Sequence, residues 1–207
     1  MEHNRSDEVR KTARTPSGAA VMRGDVTGAL TRVFFEEWAR TGYAGLSLER
    51  VARTAGVGKA ALYRRWPDKV SMASDLLSRV GLTMTDVEEH GSLEADLQAV
   101  LFAIRRVLRH AKVRRILTDL HGEIDRTPAL ETAIRPFQRA RRERIDGLID
   151  RAIKRRELSP LVDREMAADL IAAPLYWRLA VLGGRADRDY IRRLARITGA
   201  ALRASEF

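Results

Sequence analysis

Residues 54–70 read TAGVGKAALYRRWPDKV. Two glycines bracket a valine, two alanines follow a lysine, and a proline closes the run. Gly56 permits a left-handed turn that residues with a Cβ resist. Pro67 disfavours helix in the residue before it. The pattern predicts a short helix over about 59–66, preceded by a tight turn and by another short helix over about 48–54. Ser47 stands at the N-cap of the earlier helix, and Leu48, Val51, Ala52 and Ala55 form its apolar stripe. Two short helices joined through Ala55, Gly56, Val57 and Gly58 make a helix-turn-helix.

Within the second of these helices, Leu62 and Trp66 are four apart and face inward, and Val57 plugs the angle between the pair. The opposite side presents Ala60, Ala61 and Arg64, flanked by Lys59 and Tyr63. That side suits a DNA groove. Small alanines let the backbone approach base edges, and their methyl groups can touch a thymine methyl. Lys59, in the first turn, can donate to guanine O6 or N7, and the helix start adds its own positive end toward phosphate. The Tyr63 hydroxyl and Lys69 can reach phosphates, contacts that position without reading sequence.

The charge agrees with a polyanion partner. The chain of 207 residues carries 38 Lys and Arg against 28 Asp and Glu, a net charge of +10. Between residues 45 and 69, Arg50, Arg53, Lys59, Arg64, Arg65 and Lys69 face only Glu49 and Asp68. A basic balance of this kind favours nucleic acid or other anions. The absence of cysteine removes disulfides, thiolate metal sites and cysteine nucleophiles together. The first residues lack an apolar run, so no secretory signal is expected. The longest wholly apolar run, residues 170–177, is far shorter than the ~20 residues a membrane helix needs. The expectation is a cytoplasmic, soluble protein with no membrane partner.

Outward from the turn, the pattern is helical throughout. Residues 1–24 read as a flexible arm. Asp25 is the expected N-cap of a helix with Val26, Leu30, Val33, Phe34 and Trp38 on one face, stopped by Gly42. Asp68 caps a helix carrying Leu76, Leu77 and Val80. Ser92 starts another that reaches about residue 110, and one more spans about 112–125. Thr127 and Pro128 begin a short helix, and a long arginine-rich one is expected over about 136–157. The most apolar segment runs from about 163 to 182 and ends at Gly183 and Gly184. A last helix covers about 187–204. The fold class is all-α, about nine helices, with a flexible arm at 1–24, a helix-turn-helix domain at 25–70 and a larger helical domain at 71–207.

At this point the sequence resembles a known family. Residues 25–77 are similar to the N-terminal domain of the TetR family of bacterial transcriptional regulators. The matching parts are ARTGYAGLSLERVARTAGV followed by GKAALYRRWPDK. Gly56, Val57, Gly58, Lys59, Ala60, Ala61, Leu62, Tyr63, Arg64, Arg65, Trp66 and Lys69 fill the family pattern in order. One departure is Gly58, which stands where the family often has serine or another polar residue. The resemblance implies a homodimer on a two-fold symmetric double-stranded DNA operator, usually repressing, released when a small-molecule effector enters the C-terminal domain. It also implies that Ser47 meets phosphate, that Lys59, Ala60, Ala61, Tyr63 and Arg64 line the groove, and that Lys69 holds the DNA backbone.

In the larger domain the helices about 163–183 and 187–204 are the expected dimer interface. Met166, Leu170, Ala173 and Trp177 follow one stripe, and Ala167, Ile171 and Leu175 lie on an adjacent face. That apolar width exceeds what one core needs. Pro174 removes a hydrogen bond to the carbonyl of Leu170 and should bend this helix. Phe102, His121, Phe137, Tyr176, Trp177 and Arg178 are the candidates for lining an effector pocket. The run Arg139, Arg141, Arg142 and Arg144, interleaved with carboxylates, reads as a solvated helix face with i,i+4 pairs.

Catalysis is not expected. The histidines at 3, 90, 110 and 121 have no metal-ligand spacing, no glycine-rich phosphate loop follows a strand, and no cofactor is implied. The remaining alternative is a helical interaction protein with a vestigial helix-turn-helix.

Overall fold

The computed structural model describes residues 18–83 and 89–205. All the regular structure within them is helical: α1 (Gly18–Thr41), α2 (Leu48–Thr54), α3 (Lys59–Arg65), α4 (Lys69–Thr83), α5 (Leu93–Leu108), α6 (Ala111–Ile124), α7 (Pro128–Lys154), α8 (Arg164–Tyr176), a π turn (Trp177–Val181) and α9 (Arg188–Ala204).

Most boundaries follow from local chemistry. Ser47 accepts a hydrogen bond from the Arg50 N–H and starts α2, and Ser92 does the same for α5 through Ala95. Asp163 and Asp187 cap α8 and α9. Helix α2 ends in a Schellman turn. Gly56 has φ +68, the Val57 N–H reaches the Ala52 carbonyl at 2.9 Å, and the Gly56 N–H reaches Arg53 at 3.2 Å. Gly42, with φ +71, ends α1.

Three elements differ from expectation. Helix α1 begins at Gly18, so Asp25 lies inside it instead of capping it. No residue between 18 and 25 stops a helix, and Gly24 alone costs only ~1 kcal/mol there. The rest of the expected arm, residues 1–17, lies outside the described residues. Helix α7 is one continuous rod through Pro136, where two helices were expected. Pro136 and Thr132, whose carbonyl loses its donor, are both exposed, which leaves that carbonyl open to solvent. One residue on, the Ala133 carbonyl accepts from the Ser74 hydroxyl at 2.8 Å, a bond supplied by α4. Pro174 lies inside α8, and a π turn follows that helix, in which the Leu182 N–H reaches the Trp177 carbonyl.

Two cores result. The first joins Leu30, Phe34, Trp38, Tyr43, Val51, Leu62, Trp66, Met72 and Leu76 of the N-terminal helices to Ile116 and Leu120 of α6 and Leu130 and Ile134 of α7. The helix-turn-helix thus leans on the larger domain, with α4 lying along α7 and α1 along α6. The second joins Leu93, Leu97 and Leu101 of α5, Leu148 and Ile149 of α7, Ile171 and Leu175 of α8, and Ile191, Ala195 and Leu202 of α9.

Candidate nucleic-acid interface

Helix α3 has two sides of opposite character. Leu62 is 1 % exposed and Trp66, at its C-cap, 3 %. Lys59, Ala60, Ala61, Tyr63, Arg64 and Arg65 are all exposed. Burying Leu62 and Trp66 in the first core forces the other six residues of the helix outward, because a seven-residue helix has only one inward stripe.

The scaffold beneath α3 is held by polar contacts, part-buried at Glu37 and Trp66 and exposed at Arg65. Glu37 of α1, itself buried, accepts from Arg40 at 2.7 Å and from the guanidinium of Arg50 on α2. Burial alone would raise its carboxyl, but the hydrogen bonds from Arg40 and Arg50 outweigh it and hold the group below the usual range. Arg50 also donates to the Gly45 carbonyl. Trp66 donates from its indole to Asp75 at 3.0 Å, and Arg65 stacks over the Trp66 ring while donating to the Thr27 hydroxyl.

The corner between α1 and α2 is gripped from both sides. Asp119, on α6, accepts from the Trp38 indole and from the Tyr43 backbone N–H, both at 2.7 Å. Lys69 donates to the carbonyls of Tyr43 and Ala44 at 2.9 and 3.3 Å and sits over the Tyr43 ring. Lys69 therefore ties the start of α4 to this corner and is half-buried. Its ammonium has three protons, so one remains for an anion. The Tyr43 ring is fully buried; its hydroxyl is pushed up to about 12, first by burial and then by Asp68 and Glu123. Ser47 keeps its hydroxyl proton available while its oxygen caps α2.

Sequence reading passed over three of these residues. Glu49 on α2 pairs with Lys59 across the turn at 2.8 Å, and both side chains are more than half exposed. Asp119 and Tyr43 form the corner grip. An acidic residue inside a basic stretch was the available signal for Glu49. Nothing local marks Asp119, whose partners lie 76 and 81 residues away.

The effector candidates are dispersed. The His121 ring nitrogen and the Tyr176 hydroxyl meet at 3.0 Å, joining α6 to the end of α8. Phe102 packs against the second core, and Phe137 is half-buried on α7. Trp177 is 57 % exposed. Arg178 donates to the Arg185 carbonyl and stacks on Tyr190 of α9. One cleft, lined by Trp38, Gly42, Arg114, Arg115, Thr118 and Asp119, opens between α1 and α6. Another lies where the α7–α8 turn meets the end of α9. Neither is lined by any of the six candidates. On the arginine-rich face of α7, Arg142 pairs with Asp146 at i,i+4, while Asp150 pairs with Arg164 of α8.

On α8 the two apolar faces separate. Ala167, Ile171 and Leu175 are buried in the second core. Met166 and Ala173 of α8 point outward with Trp177 and Val181 of the π turn, whereas Leu170, expected on the same stripe, is half-buried and packs against the second core; Ile197 and Ala200 are exposed on α9. Among the described residues no group of three or more metal-ligating side chains comes together, and no helix is long and apolar enough to cross a membrane.

Comparison with known proteins matches both parts. Residues 33–76 fit the model for bacterial regulatory proteins of the tetR family, and residues 87–198 fit the tetracyclin repressor-like C-terminal domain. The DNA-binding transcriptional repressor TetR of Mycobacteroides abscessus is 32% identical over 185 residues, covering 84% of this chain and 92% of that protein. The crystal structure of the TetR family transcription regulator SCO0332 superposes with a TM-score of 0.66 at 28% identity, over 85% of this chain and 97% of that one. The fatty acid degradation regulator FadR from Bacillus halodurans shares the fold alone, with a TM-score of 0.70 at 13% identity over 86% of this chain and all of that one. With an outward basic helix on a buried scaffold and both family models matched, the chain belongs to the TetR family of DNA-binding transcriptional regulators.

Proposed function

We propose that the protein is a cytoplasmic, ligand-responsive repressor that binds a palindromic operator as a homodimer. The helix-turn-helix at about 25–70 is the reading unit and the helices beyond it form the effector and dimerisation unit. Helix α3 lies in the major groove with Lys59, Ala60, Ala61, Tyr63 and Arg64 against the bases and backbone. Ser47 and Lys69 hold phosphates on either side. The single observation that carries the dimer is the split of α8 and the π turn after it into one face buried in its own core and a second apolar face, Met166, Ala173, Trp177 and Val181, turned outward. Covering such a face with a second copy removes it from water, and a two-fold axis there pairs the two reading helices with the two half-sites of an operator. An effector arriving beside His121 and Tyr176 would press on α6, the helix that carries Asp119 and so the α1–α2 corner.

Trp177→Glu tests this reading. Light scattering should give a dimer for the parent chain at micromolar concentration and a monomer for the variant. Operator affinity should fall at least tenfold, because a single half-site contact replaces two. A parent chain that is monomeric, or a monomeric variant that binds the operator unchanged, overturns the proposal.

A further inference from the structure

The Glu49–Lys59 pair is unusual for its place. Its 2.8 Å contact lies on the side of the helix-turn-helix that faces away from both cores, with side chains 58 % and 63 % exposed. An acidic group on a DNA-facing surface is repelled by phosphate, so a surface selected only for affinity would not carry it. The Lys59 ammonium holds the Glu49 carboxyl below its usual range, with a smaller contribution from Arg53.

We propose that Glu49 is a specificity-determining residue, and that the Glu49–Lys59 pair reads one C·G base pair while weakening attachment to non-cognate DNA. The inference rests on the placement of α3 in the major groove. The geometry is a match of four atoms. In a C·G pair, cytosine N4 and guanine O6 are hydrogen-bonded to each other, so they lie about 2.9 Å apart, the usual N–H···O separation. The ion pair presents an acceptor and a donor at nearly the same spacing. Glu49 accepts from cytosine N4 while Lys59 donates to guanine O6 and N7. An A·T pair also offers an amino group beside a carbonyl. There, however, adenine N7 faces the carboxylate with a second acceptor, and the thymine methyl crowds the ammonium. On non-cognate sequence the two side chains stay paired, Lys59 neutralises no phosphate, and the carboxylate remains as a repulsive charge. Arg64 and Tyr63 still hold the backbone in both cases, so the pair changes selectivity more than attachment.

The test is selection of binding sites from a random double-stranded pool with the parent chain, Glu49→Gln and Lys59→Ala, followed by affinity measurements over a salt series. Thermal melting checks that the exposed substitutions leave the fold intact. The parent should select half-sites with one fixed C·G pair and prefer it tenfold or more over the other pairs, the range expected for a good bidentate contact. Glu49→Gln should reduce that preference to under about threefold. It should also bind random-sequence DNA more tightly and steepen the salt dependence by about one unit of slope, as the released Lys59 neutralises a phosphate. Lys59→Ala should lose the same base preference, and the double variant should lose no more than either single one. A Glu49→Gln protein that selects the parent's sites with the parent's preference and salt slope overturns the proposal while leaving the groove placement standing. A parent chain that selects no site overturns the groove placement, and this inference with it.

Discussion

Asp119→Ala probes the contact on which the reading unit hangs. Asp119 is the sole residue of α6 that accepts both the Trp38 indole N–H and the Tyr43 backbone N–H. Trp38 is 1 % exposed, so its donor has little access to water once the carboxylate goes. Hydrogen bonds to a charged group contribute about 1.5–3 kcal/mol each, and a buried donor left unpaired costs about 1–3 kcal/mol. The cleft beside Asp119 opens to solvent, and water entering it recovers part of that loss. A net destabilisation of about 2–4 kcal/mol follows. Urea unfolding followed by circular dichroism measures it, with the slope checked for two-state behaviour. Gly42 supplies a sharper control. Its φ is +71, and a Cβ there would lie 2.8 Å from an Asp119 carboxylate oxygen. Gly42→Ala therefore carries both a left-handed strain of about 1–2 kcal/mol and a collision with Asp119. In the Asp119→Ala background the collision vanishes and only the strain remains, so the second substitution should cost less than in the parent chain. Strict additivity, or an Asp119→Ala loss below about 0.5 kcal/mol, would refute the corner grip as a structural element.

Two further outcomes follow from single residues. Arg156 occupies the left-handed position of the Schellman turn that ends α7, with φ 60 and with the Glu157 N–H on the Ala152 carbonyl at 2.9 Å. Arg156→Gly relieves about 1–2 kcal/mol of strain against about 0.5–1 kcal/mol of added chain entropy, so the urea midpoint should rise; a lower midpoint at unchanged slope contradicts the account. Glu37 titrates below its ordinary 4.5 in the folded chain. Its contribution is therefore complete above pH 4.5 and is lost as pH falls through the lowered value. Glu37→Gln should cost about 1–3 kcal/mol at neutral pH, and the gap to the parent should narrow in melts taken progressively below pH 4.5; a constant gap would exclude the ion pairs with Arg40 and Arg50 as its source.

Short-range chemistry made much of the molecule legible. Gly56, Ser47, Pro67 and the Leu62–Trp66 spacing act within one or two turns of chain, and the helix-turn-helix with its outward face follows from them. The caps of α5, α8 and α9 were equally local. The continuity of α7 through Pro136 was not, because it depends on the exposure of Thr132 and Pro136 in the folded chain and on the packing of α4 along α7. Nor was the role of Lys69, which read as a charge for DNA and is also a strut to Tyr43 and Ala44.

The amino-acid order alone determined which residues of α3 turn outward, since helical periodicity and a two-residue apolar stripe leave no other choice. Tertiary packing decided what those residues meet. Only the crossing of α2 and α3 sets Glu49 on Lys59, and only the docking of α6 on α1 brings Asp119 to Trp38 and Tyr43. Such contacts join residues from 10 to 81 positions apart, and chain periodicity carries no information over that distance.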